Sequence, residues 1–112
     1  MLLRYAFFFE IAGVTLRRPS EALELNRQAV RDIALSHRVS SVRVFGSVVR
    51  GDDQDSSDLD LLVTPTQETT LFDLARIKGR IEALLGVPVD VLTPNALPEK
   101  FRDAVLAEAR SV

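Results

Sequence analysis

Val42-Arg43-Val44-Phe45-Gly46-Ser47-Val48-Val49-Arg50-Gly51 runs, one short loop later, into Ser57-Asp58-Leu59-Asp60-Leu61-Leu62-Val63. The first half reads as a strand. Val42 and Val44 alternate with Arg43 and Phe45, and Gly46 ends the run. Glycine permits unusual backbone angles and a close approach to a ligand. Ser47 offers a hydroxyl and an N–H to a phosphate oxygen. Val48, Val49 and Arg50 then read as the first turn of a short helix, whose unpaired N–H groups favour an anion. Arg50 can neutralise phosphate charge or tie the loop to a nearby carboxylate. A lone Gly-Ser is also what an ordinary strand-turn with a serine cap looks like. What gives it weight is its spacing to the two aspartates.

Asp58-Leu59-Asp60 opens a second strand. Alternate residues of a strand share a face, so Leu59, Leu61 and Val63 point one way and Asp58, Asp60 and Leu62 the other. At roughly 3.3 Å rise per residue the two aspartate Cα atoms lie about 6.6 Å apart. Both carboxylates can therefore reach one divalent cation or two adjacent ones. Mg²⁺ is held by one or two carboxylates together with substrate phosphates. The competing reading is an amphipathic edge strand with a solvated acidic face. Against it, Asp is disfavoured in strands, and two on one face repel unless a cation lies between them. A phosphate-holding turn beside a metal-holding pair points to a nucleoside triphosphate and to nucleotidyl transfer.

Gly46-Ser47, Asp58-Leu59-Asp60 and their spacing resemble the Gly-Ser…Asp-x-Asp signature of the DNA polymerase β-like nucleotidyltransferases. Arg50-Gly51 after the Gly-Ser, the short length, and Pro88-Val89-Asp90-Val91-Leu92 are similar to the minimal nucleotidyltransferase subgroup. The resemblance covers roughly residues 20 to 112. It implies an α/β (α+β) fold, a small mixed β-sheet flanked by helices, with ATP as substrate and Mg²⁺ as metal. Gly46, Ser47 and Arg50 become nucleotide-binding candidates, and Asp58 and Asp60 catalytic metal ligands. The family takes a third carboxylate from a later strand. Asp90 matches: it lies between Val89 and Val91 on the opposite face, and would share the metal site and polarise the attacking hydroxyl. An exposed Asp at a strand end looks the same. The resemblance further implies pairing with a HEPN-type toxin in a hetero-oligomer, the chain acting as an antitoxin that transfers AMP to a tyrosine hydroxyl of its partner. Two other readings stay open: a non-catalytic antitoxin that neutralises its toxin by binding alone, and a transferase acting on a small molecule.

The 112 residues make one domain, large enough for a core but not for a second substrate-holding domain. A partner or acceptor must then complete the site. Net charge −2, with arginines scattered, gives no electrostatic case for direct nucleic acid binding. No Cys means no disulfide and no thiolate metal site, which is compatible with the cytoplasm.

Residues 1–18 read as an N-terminal extension and 19–112 as the nucleotidyltransferase domain. The apolar run Tyr5 to Phe9 is too short to span a membrane and makes a poor signal peptide. It fits a poorly ordered extension, a translated segment upstream of the domain, or an apolar contact patch. Pro19-Ser20-Glu21 opens a helix carrying Leu23, Val30, Ile33 and Ala34 to about Ser36, with His37 at its end. Thr70 and Asp73 form a capping box for a helix with Leu74, Ile77, Ile81, Leu84 and Leu85 inward, ending at Gly86. A last helix opens near Pro98 with Phe101, Val105 and Ala109 inward. Asp52, Asp53 and Asp55 read as solvated turn residues, or as acids that tune metal affinity.

Overall fold

The computed structural model describes residues 18–112. The expectations for the extension lie outside the described residues. Two helices, α1 (Pro19–Leu25) and α2 (Arg27–Leu35), lead into β1 (Val39–Phe45). The single turn α3 (Ser47–Arg50) and a loop precede β2 (Leu59–Pro65). Helix α4 (Leu71–Leu85), β3 (Val89–Leu92), α5 (Glu99–Glu108) and β4 (Arg110–Ser111) complete the chain. The sheet is mixed, in the order β3-β2-β1-β4: β2 and β3 run parallel, joined by α4 as the crossover, and the other pairs are antiparallel. No helix among the described residues is long and apolar enough to cross a membrane.

The strand alternation divides the core in two. Val42, Val44, Leu59, Leu61, Val63 and Val89 face α1, α2 and α4, packing on Leu23, Val30, Ile77 and Ile81. On the other face Phe45 and Leu62 meet Leu97, with Leu92, Val105 and Leu106 against them. Helices thus cover both faces, and the aspartate-bearing face of β2 is the one turned toward α5.

Local sequence accounts for the element ends. Thr70 and Asp73 form the expected capping box: Asp73 N–H donates to Thr70 Oγ1 at 3.2 Å, and Thr70 N–H donates to Asp73 Oδ2 at 2.8 Å. Gly86 closes α4 in the left-handed region. In place of one helix reaching Ser36, the chain breaks at Asn26. Its side-chain amide donates to the Ala22 carbonyl at 2.9 Å and its own N–H to the Leu23 carbonyl, so it competes with the continuing helical ladder.

Other expectations are corrected. Strand β1 starts at Val39, three residues earlier than the Val42 alternation suggests. A register shift between Val39 and Ser41 hides the period there, and Ser41 Oγ pairs with Thr64 Oγ1 at 2.7 Å. Leu84 and Phe101 stay exposed, at 41% and 52%. Leu85 takes the inward place at the end of α4, and buried Leu97 fills the space at the entrance to α5. His37 keeps its expected place at the helix end, where its backbone N–H donates to the Ala34 carbonyl and its ring meets Arg80 Nη1 at 3.0 Å. Strand β4, with no apolar period of its own, pairs Arg110 with Val44 and Ser111 with Arg43.

Asp53 is the clearest reversal among the loop acids. It is buried, and its Oδ2 accepts the Ser20 N–H at 2.8 Å, serving the first turn of α1 from across the chain. Asp53→Ala is expected to cost about 1 kcal/mol, the usual worth of such a cap. That corresponds to a melting midpoint lower by about 4–8 °C for a domain near this size. An unchanged midpoint in thermal unfolding would show the contact to be idle.

Candidate functional site

Three strands bring the candidate residues to one place. Phe45 pairs with Asp60 across the antiparallel β1–β2 ladder, and Asp60 pairs with Asp90 across the parallel β2–β3 ladder. With about 4.8 Å between neighbouring strands, Asp90, Asp60 and the Phe45–Gly46 junction stand side by side. Asp58 lies one residue before β2, on the parity of Asp60. The face expected from sequence alternation is the observed one: Leu62 and Leu92, which share it, belong to the cluster under α5.

Gly46 makes the turn. Its φ of 80° and ψ of −151° fall in a region that is essentially glycine-only. A Cβ built there would collide with Asp60 Oδ2 and lie 3.3 Å from Asp60 Cγ. Glycine is therefore required twice, once by the backbone and once by the aspartate beside it. The Gly46 carbonyl accepts from the Val49 and Arg50 N–H groups, which folds α3 back as one turn, and Gly51 closes it in the left-handed region. Ser47 is the first residue of that turn, so its N–H has no helical acceptor. Arg50 reaches back over the site. Its Nη1 donates to Glu108 Oε1 at 3.1 Å, and its Nε lies 3.8 Å from Asp52 Oδ2.

Electrostatics tie the group together. The Asp60 carboxyl is pushed up to about 6 from an ordinary 3.8. Burial is the largest cause, followed by the charges of Asp90 and Asp58, with Glu108 adding to them and Arg50 opposing. The three aspartates are thus close enough to repel. Among the described residues, no three His, Asp or Glu side chains converge into a ready-made metal cage. Mg²⁺ needs none, because it takes one or two carboxylates and completes its shell with phosphate and water oxygens. A half-buried carboxylate with two like charges beside it and only hard oxygen donors around it fits such an ion. All six sequence-predicted residues, Gly46, Ser47, Arg50, Asp58, Asp60 and Asp90, fall in this one region.

Glu108 is the member that sequence reasoning misses. It accepts the Gly46 N–H at 2.7 Å from the far end of the chain. Nothing in a generic amphipathic helix links it to the Gly-Ser turn; recognising β4 as a strand beside β1 would have.

Comparison with known proteins gives the family and the fold. The nucleotidyltransferase domain family model matches residues 24–112. Seven curated relatives are similar to the chain. Among them is the protein adenylyltransferase MntA of Thermococcus cleftensis, 31% identical, with 88% of this chain and 96% of that protein covered. A solved structure of a candidate minimal nucleotidyltransferase superposes with a TM-score of 0.75 at 44% identity, covering 83% of this chain and 95% of the other. A toxin–antitoxin structure containing AMP-PNP shares the fold, with a TM-score of 0.62 at 13% identity over 83% of this chain and 71% of its own.

Proposed function

The chain belongs to the nucleotidyltransferase domain family, and from that premise we propose that it is an Mg²⁺-dependent antitoxin that transfers AMP from ATP to a tyrosine hydroxyl of a HEPN-type toxin. The observation that carries the reading is the side-by-side placement of Asp60 and Asp90 on adjacent strands, with Gly46 at the end of β1 packed against Asp60. It sets a phosphate-holding turn against an acidic pair and a third carboxylate. The relatives named as protein adenylyltransferases support a protein acceptor, and the fold shared with a toxin–antitoxin structure supports a toxin partner.

In this reading Ser47 donates its hydroxyl and N–H to the triphosphate, and Arg50 neutralises its charge. Asp58 and Asp60, with Asp90, would hold Mg²⁺, which when bound offsets phosphate charge as a Lewis acid. Asp90, exposed at the edge of the site, accepts the proton of the incoming hydroxyl. That oxygen forms its bond to the α-phosphorus while the bond to the β-phosphate oxygen breaks, and pyrophosphate leaves. Positioning and charge stabilisation supply the rate. The partner closes the open side of the site, where Asp90 is exposed. The cytoplasm, which supplies ATP and the toxin, is the setting.

The experiment is to co-purify the chain with the product of the neighbouring gene and weigh that partner after incubation with ATP and Mg²⁺. We expect the partner to gain AMP units on tyrosine, and Asp60→Asn to bind it without modifying it. A wild-type chain that binds and never adds AMP would leave binding alone as the antitoxin activity. One that neither binds nor modifies the partner would overturn the toxin assignment.

A further inference from the structure

Glu108 is the last residue of α5, and its carboxylate joins two separate parts of the candidate nucleotide site. Oε2 accepts the Gly46 N–H at 2.7 Å and Oε1 accepts Arg50 Nη1 at 3.1 Å. The side chain is mostly covered, at 23% exposure. Its backbone is anchored as well. The Ala109 N–H closes the helix on the Val105 carbonyl, and the chain then enters β4, where Arg110 pairs with Val44. Val44 lies two residues before Gly46 on β1. The strand that delivers the Gly-Ser turn therefore also fixes the position of Glu108. Val112 is buried and its carbonyl accepts from Arg31 Nε at 3.2 Å, which secures the far end of β4 against α2.

Such an anchor suits a permanent contact. Arginine carries five N–H donors in a planar fork, so one held by Glu108 and an ion pair with Asp52 orient the plane and leave donors for a phosphate. The Gly46 N–H is occupied in the same way, which leaves Ser47 as the donor residue of the turn.

Resting on the nucleotide reading above, we propose that Glu108 is a positioning residue for the triphosphate, locking the Gly46 amide and the Arg50 guanidinium into one rigid unit. Glu108 then contributes to nucleotide affinity without touching the nucleotide. A glutamine keeps an acceptor for the Gly46 N–H but loses the negative charge that pairs with Arg50; an alanine loses both.

The test is calorimetric binding of AMP-PNP with Mg²⁺ to the full chain, which needs no acceptor protein. Variants are Glu108→Gln, Glu108→Ala, Arg50→Ala and the Arg50→Ala/Glu108→Ala double. We expect Glu108→Ala to weaken binding by about tenfold or more, the worth of a charge-assisted hydrogen bond. Glu108→Gln should recover part of that loss. The double variant should bind far more tightly than the product of the two single losses predicts, because the residues act as one unit. A purely structural role would not produce that non-additivity. If Glu108→Ala fails to fold, Glu108→Gln against Arg50→Ala carries the same comparison. Wild-type affinity in both Glu108 variants, tighter binding in either, or additive losses would overturn the proposal. Tighter binding would mean that the carboxylate competes with phosphate. A wild-type chain that does not bind AMP-PNP would defeat the nucleotide reading itself, and this inference with it.

Discussion

Replacing Asp58 and Asp60 together with Asn is expected to lower AMP transfer by about 10³-fold or more, the scale on which losing a group that stabilises developing charge is felt, while the fold stays intact. The two side chains lie at the start of β2, above the buried residues Leu59 and Leu61 rather than among them. Removing their charge relieves repulsion instead of breaking a contact. The stability of the single Asp60→Asn variant should reveal this by its pH dependence. The folded-state value of Asp60, about 6, stands above its ordinary 3.8. Between those values the folded state binds more protons than the unfolded one, so the wild type loses stability as pH rises through that window. Below it both states are protonated and the penalty is absent. Asp60→Asn should therefore melt higher than the wild type above pH 6 and match it below about pH 4. Because the site is half open to solvent, the difference should be only about 2–4 °C. Mg²⁺ should raise the midpoint of the wild type more than that of the variant, by preferential binding to the folded state. Full transfer by the double variant would sink the assignment, and an Asp60→Asn chain less stable at neutral pH would refute the electrostatic account.

The features legible in the sequence are those whose cause is local. Face parity sets Asp58 and Asp60 opposite Leu59 and Leu61 because alternation is a property of a single strand. The Thr70–Asp73 cap and the Gly86 stop are readable because each is completed within a few residues. Asp90 emerges through resemblance and parity, and the β2–β3 register sets it beside Asp60. What stays hidden depends on distant partners. Asp53 looks like any acidic loop residue until Ser20 is folded against it. Glu108 looks like a solvated helix end until β4 pairs with β1. The two-residue β4 has no pattern to read, since its place comes from backbone hydrogen bonds to a neighbour. Phe101 shows the opposite failure: its spacing suits an inward face, yet Leu97 already occupies the interior.

Gly46→Ala is the variant in which fold and chemistry are expected to fail together, and Gly51→Ala separates the causes. Both glycines have positive φ, 80° and 79°. At Gly51 nothing lies within 4 Å of where an alanine methyl would stand, whereas at Gly46 that methyl runs into Asp60. Gly51→Ala therefore meets only the left-handed backbone cost, about 1–2 kcal/mol. Gly46→Ala meets a cost of about 1–3 kcal/mol for its glycine-only conformation, and must also displace either the turn or the Asp60 carboxylate. The Glu108 hydrogen bond to the Gly46 N–H opposes movement of the turn, and the β1–β2 ladder opposes movement of the strand. Whichever yields, Ser47 and Asp60 no longer keep their relative placement, and a shift of about 1 Å can cost 10²-fold in rate. We expect Gly46→Ala to melt at a lower temperature than Gly51→Ala and to lose about 10²-fold or more of AMP transfer, while Gly51→Ala keeps most of it. Thermal unfolding and a transfer assay on the two purified variants decide the matter. Equal losses in both would show that the backbone conformation alone matters, and wild-type transfer by Gly46→Ala would separate the glycine from the site.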